Sequence, residues 1–171
     1  MWSYQKKLEY PINIRKPDAR AAKIIMTQYG GPDGELGASL RYLSQRFAMP
    51  YKEVVGTLTD VGTEELAHLE MICTMIYQLT RNLSIEEIKA QGFADYFVDH
   101  TTGIWPSAAT GVPFSSNAFQ SKGDILTDLH EDMAADAALW NVQTFLIECK
   151  HLRYGHATSE VLFCLIIYLK C

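Results

Sequence analysis

Glu65 and His68 are the residues whose type and spacing first suggest chemistry. They lie in Thr63-Glu64-Glu65-Leu66-Ala67-His68-Leu69-Glu70, inside a helical pattern running from Tyr51 to Leu79. A separation of three puts both side chains on one face of a helix, about one turn apart. A carboxylate and an imidazole so placed can bind one metal ion. Leu66, Ala67, Leu69, Ile72, Met75 and Ile76 make the same helix apolar over much of its surface. The pair would then face a core, where it needs charge compensation or partners. The alternative is a solvated face carrying a buried, hydrogen-bonded histidine.

Carboxylate dimetal bundles repeat such a Glu-x-x-His unit on two of four helices, so the elements around it matter. A second helix is expected from about Gly34 to Phe47, with Leu36, Leu40, Leu43 and Phe47 as its apolar stripe. Glu35 sits in its first turn, where the helix dipole favours a carboxylate. Gly34, Gly37 and Ala38 leave room beside it for close backbone approach or for a cofactor. The preceding Gly30-Gly31-Pro32-Asp33-Gly34 lacks phosphate-loop spacing and reads as a break after a short helical pattern over 21–29. Met49-Pro50 ends the second helix. Gly56 and Gly62 inside the long third segment imply close helix packing or a bend, since each costs roughly 1 kcal/mol against alanine. Ser84 with Glu87 forms a capping box for a short helix closed by Gln91-Gly92.

Residues 92–121 contain no long periodic segment but many aromatics, and are expected to cross the body as an ordered loop. His100, within them, reads as a packed loop histidine. A further helix is expected near 123–149, with Ile125, Leu126, Leu129, Met133 and Ala137 inside and Asp128, Asp132 and Asp136 as a solvated acidic row. The polar stretch 1–19, with Pro11 and Pro17, reads as an extended arm, 20–150 as the helical domain and 151–171 as a divergent apolar tail.

Composition bounds the rest. The chain has 171 residues, is 48% hydrophobic and carries a net charge of -5, which fits one globular domain. No Lys/Arg-rich tract is present, which argues against nucleic acid. The apolar run 161–169 is too short to span a membrane. The first residues lack the apolar core of a signal peptide. The four cysteines form no Cys-x-x-Cys pair, and Cys73 reads as a buried thiol. Residues 1–136 hold 12 Lys/Arg and 18 Asp/Glu, whereas 137–171 hold 3 and 2, with three of the four cysteines. The chain thus changes character after Asp136.

Four stretches together resemble the manganese catalase family, and its spore coat members most closely. They are Lys6-Lys-Leu-Glu-Tyr-Pro11, the segment 29–46 from Tyr-Gly-Gly-Pro-Asp-Gly-Glu, Thr59-Asp-Val-Gly-Thr-Glu-Glu-Leu-Ala-His-Leu-Glu-Met71, and Gly123-Asp-Ile-Leu-Thr-Asp-Leu-His-Glu-Asp-Met-Ala-Ala135. The likeness covers about residues 1–136. It implies an all-α, ferritin-like helix bundle with a dimanganese centre that disproportionates hydrogen peroxide to dioxygen and water. It implies Glu35, Glu65 and His68 as metal ligands, Glu65 bridging, and Asp136 where the family has a glutamate. Hard oxygen ligands with one imidazole per metal suit manganese, with iron as the alternative. Homo-oligomers and contacts with other spore coat proteins are implied as well, as is deposition in the spore coat.

The departure is in the tail. The family's last ligand is a histidine on the fourth bundle helix, some thirty-three residues after the third-helix carboxylate. Counting from Asp136 reaches Leu169, and His151 and His156 fall elsewhere. The fourth helix is therefore expected to be atypical or missing. Metal retention and turnover are expected to be impaired, as a frameshifted tail or real divergence would cause. A structural coat protein without turnover and a ferritin-like iron-binding oxidase are the alternatives.

Overall fold

The computed structural model describes residues 3–94, 104–119 and 121–135. The architecture is the all-α, ferritin-like bundle expected, with one short, atypical helix and no β-sheet among the described residues. The helices are α1 (Ala19–Gly30), α2 (Glu35–Gln45), α3 (Lys52–Thr80), α4 (Ile85–Ala90) and α5, described over 125–135.

Each start has a local cause. Asp18 caps α1 by accepting from the backbone N–H of Arg20 and Ala21. Asp18 also donates its own N–H to the Leu79 carbonyl at 2.8 Å, fixing the start of α1 to the end of α3. Ser84 and Glu87 form the expected capping box on α4, a helix of 6 residues. Asp128 turns back to accept from the N–H of Lys122 and Gly123 at 2.7 and 3.1 Å, which satisfies backbone donors ahead of α5.

The main core lies between α1 and the second half of α3. Ile25 and Met26 meet Ile72, Met75, Ile76 and Leu79, with Ile14 and Phe93 closing the ends. Residues 3–18 carry no helix and run along α3. There Gln78 brackets the strand-like segment, donating to the Ile12 carbonyl and accepting from the Ile14 N–H. A second cluster, Ala38, Tyr42, Met49 and Leu58, joins α2 to the first half of α3. Ser39 Oγ donates to the Gly62 carbonyl at 2.6 Å at this contact.

Three expectations about helix faces are corrected. On α2 the buried face is Gly37, Ala38, Ser39, Arg41, Tyr42 and Gln45, while Leu40 and Phe47 are exposed. Small residues face α3 because the backbones approach closely. The helix also ends at Gln45 and tightens into a 3-10 turn over Arg46–Ala48. On α5 the expected inner residues Leu126 and Met133 are each 70% exposed, whereas Asp128 and Asp132 are buried. The acidic row is therefore not a solvated face over these two residues. Asp128 is occupied by capping, and Asp132 Oδ1 accepts from Gln45 Nε2 at 2.8 Å. Cys73 is half-buried rather than buried, and burial raises its thiol pKa.

The described part of the loop, 104–119, is ordered against the body. Ala109 N–H donates to Thr27 Oγ1 at 3.0 Å, and Ile104 packs on the main core. His100, Asp136, His151, His156, the apolar run 161–169 and the place expected for a fourth bundle helix lie outside the described residues. No helix among the described residues is long and apolar enough to cross a membrane.

Candidate metal centre

Glu35 opens α2, directly after its cap residue Gly34. Glu65 and His68 stand one turn apart near the middle of α3. The α2–α3 contact brings all three together, and one ligand atom from each lies within 4.8 Å of the other two. All three are buried. His68 Nδ1 is hydrogen-bonded to Glu65 Oε2 at 2.7 Å, with Glu35 Oε2 3.7 Å from the same nitrogen. Of the four residues expected as ligands, the structure thus assembles Glu35, Glu65 and His68. Asp136 falls outside the described residues.

The room beside Glu35 is filled by the chain itself. A Cβ on Gly34 or Gly37 would lie 2.6 Å from the carbonyl oxygen of Gln28 or Pro32. These glycines serve close backbone approach, which seats the first turn of α2 and hence Glu35.

The electrostatics follow from two carboxylates sharing a dry site. Burial, and then the charge of Glu35, push the Glu65 carboxyl up to about 8 against the opposing effect of His68. Burial alone would push the His68 imidazole down. Hydrogen bonds to Glu35 and Glu65, with their charges, outweigh it and hold the ring up at about 11. A cation held by these donors would take the place of their protons. Two buried carboxylates and one imidazole are a donor set that fits a hard or borderline divalent ion such as manganese or iron. The other ring nitrogen, His68 Nε2, is buried and has no hydrogen-bond partner among the described residues.

A second group shares this histidine. Glu9, Glu64 and His68 also bring ligand atoms within 4.8 Å of one another, with Glu9 exposed and Glu64 half-buried. The Glu64 half was available to sequence reasoning, since Glu64 and His68 are four apart on one helix. Nothing local in the sequence points to Glu9, which arrives from the arm across more than fifty residues.

Comparison with known proteins agrees with the geometry. The family described as manganese containing catalase matches residues 1–151. Protein CotJC of Bacillus subtilis is 47% identical over 148 residues, covering 86% of this chain and 78% of that protein. A probable manganese catalase of Clostridium acetobutylicum is 29% identical over 140 residues, and the chain spans only 61% of its length. Among solved structures, the wild-type manganese catalase KatB from Anabaena superposes with a TM-score of 0.82 at 27% identity, covering 99% of this chain and 74% of that one.

Proposed function

Since the chain belongs to the manganese-containing catalase family, we propose that Glu35, Glu65 and His68 hold manganese, with Asp136 as a further ligand. The observation that carries this reading is the convergence of those three buried donors at the α2–α3 contact. Manganese held there, as part of a two-ion centre, would supply the two-electron exchange that turns two molecules of hydrogen peroxide into one of dioxygen and two of water.

The residues do the holding and the charge control. Glu35 and Glu65 neutralise the cation, and both lie on helices whose backbones are locked by the Ser39–Gly62 hydrogen bond. His68 contributes Nδ1, the nitrogen already facing both carboxylates. A metal ion taken up here would compete with protons for that nitrogen and for Glu65, so binding and proton release would be linked. Burial excludes bulk water from the carboxylates and strengthens their hold on a cation.

The family's last histidine has no counterpart at Leu169, and Asp136 is one methylene shorter than the glutamate it replaces. Turnover is therefore proposed to be low against relatives with a full ligand set. The likeness to spore coat members extends the proposal to assembly in the coat. Self-association and contacts with other coat proteins would run through the arm at 1–19 and the loop at 92–121.

The test is metal analysis and oxygen evolution on the purified chain, loaded anaerobically with manganese(II) or iron(II). Retained manganese, lost in His68→Ala, with slow oxygen release from peroxide is the expected result. No retention of either metal overturns the metal centre. Retention of iron alone overturns manganese as the resident ion.

A further inference from the structure

Among the described residues, His68 is used from one side only. Its Nδ1 faces Glu65 and Glu35, while Nε2 is buried without a partner, and the side chain is 8% exposed. A buried polar atom left unpaired is costly, so this arrangement needs a reason. When an ion takes the lone pair of Nδ1, the ring hydrogen must sit on Nε2. Histidines that bind metals almost always donate that second N–H to a carboxylate, carbonyl or water, which fixes the ring and raises its basicity.

The carboxylates available are those of Glu64, on α3 itself, and Glu9, on the arm. Both belong to the group with His68 whose ligand atoms lie within 4.8 Å of each other. The arm carrying Glu9 is seated along α3 by a row of tethers. Tyr4 donates to Glu70 Oε1 at 3.1 Å, Gln78 Nε2 to the Ile12 carbonyl at 2.9 Å and Arg81 Nη2 to the Ile14 carbonyl at 2.8 Å. Beneath the arm lies an open cleft of about 690 Å³, lined by Glu9, Asp60, Glu64 and Glu70 among others. The arm is thus tethered to α3 on both sides of Glu9, and Glu9 itself lines the cleft.

We propose that Glu9 and Glu64 are positioning residues that accept the Nε2–H of His68 once a divalent cation occupies the Glu35–Glu65–His68 cradle, so that seating of the N-terminal arm and metal retention are coupled. The inference rests on the metal-centre reading above. It adds that the arm is part of the centre's outer wall. The cleft that Glu9 lines leaves room for its side chain to shift. With the cation bound, the carboxylates orient the ring from outside and offset the positive charge within.

The experiment compares wild type, Glu9→Ala, Glu9→Gln, Glu64→Ala and the Glu9→Ala/Glu64→Ala double variant. Release of manganese(II) into excess chelator is followed by the free-ion electron paramagnetic resonance signal. Hydrogen exchange of arm amides is measured with and without the metal. The double variant should release manganese about 10- to 100-fold faster, the usual effect of losing such a partner. Glu9→Gln should retain part of the effect, because its amide oxygen still accepts. Metal should slow exchange in the arm of wild type and not of Glu9→Ala, a response that a merely structural arm would not show. Metal-free melting curves establish that each variant folds. Wild type that retains manganese, with equal release from the double variant and no metal-dependent arm protection, overturns the coupling alone. Wild type that retains no metal overturns the centre itself and the coupling with it.

Discussion

Gln45 Nε2 donates to Asp132 Oδ1 at 2.8 Å, joining the end of α2 to α5 across 87 residues of sequence. Both side chains are buried. A hydrogen bond to a buried carboxylate is worth about 1.5–3 kcal/mol, and removing one member takes that bond from the other, which stays buried. Asp132→Ala should therefore cost about 2–3 kcal/mol, whereas Gln45→Leu with Asp132→Leu should cost less than the two single changes together. Chemical denaturation of the four proteins in a double-mutant cycle checks this. Strictly additive losses would show that the contact contributes nothing.

That contact also shows what the sequence could reveal. The helices themselves were readable because their signals are local: Asp18 and the Ser84–Glu87 box sit beside the turns they cap. The Glu65–His68 pair was readable for the same reason, since helical spacing alone places both on one face. The orientation of α5 was not. Periodicity finds the apolar stripe Ile125, Leu126, Leu129 and Met133, but the structure buries Asp128 and Asp132. The partners that make this tolerable, Gln45 and the backbone N–H groups of Lys122 and Gly123, include one from a distant helix. On α2 the stripe misled likewise, because close packing selects small residues rather than leucines. Glu35 was brought to the site by the family likeness, and Glu9 by nothing before the fold.

Stability of the metal-free chain should fall as pH rises. Glu65 is pushed from 4.5 to about 8 and His68 from 6.5 to about 11 on folding. Both folded values lie above the unfolded ones. Their contributions are then complete below 4.5 and 6.5, and are lost as pH climbs through about 8 and about 11. Melting temperatures should drop between about pH 6 and pH 9, with Glu65 giving the earlier part of the change. Saturating manganese should flatten this slope, since the cation replaces the protons. Calorimetry under argon, with and without metal, reads both. A metal-free melting point that rises across the range would contradict the charge arrangement.

Metal should stabilise the folded chain by mass action. An ion at 100 times its dissociation constant adds about 2.7 kcal/mol when it binds only the folded state. Wild type should therefore melt higher with manganese, in proportion to the logarithm of its concentration. His68→Ala should show no such rise, because one of the three assembled donors is gone. An equal rise in both proteins would place the bound ion elsewhere.

The two glycines inside α3 should respond in opposite directions to the same substitution. A Cβ added at Gly56 meets nothing within 4 Å. Gly56→Ala then only removes the conformational cost of glycine in a helix, and should stabilise by roughly 0.5–1 kcal/mol. A Cβ at Gly62 would lie 2.9 Å from Leu43 Cγ and 3.1 Å from Tyr42 Cβ. Leu43 can swing partly aside, but the Tyr42 Cβ moves only with the backbone of α2. The Ser39 hydrogen bond to the Gly62 carbonyl is strained by the same displacement. Overpacking of this kind costs about 1–3 kcal/mol, which exceeds the gain in helix propensity. The consequence reaches the candidate centre, because Glu35 rides on α2 while Glu65 and His68 ride on α3. Gly62→Ala should destabilise the chain and speed manganese release together, whereas Gly56→Ala should stabilise it with release unchanged. Thermal melts and chelator-driven release on the two variants decide the matter, and a Gly62→Ala protein with wild-type stability and wild-type release would show that the α2–α3 contact does not set the site.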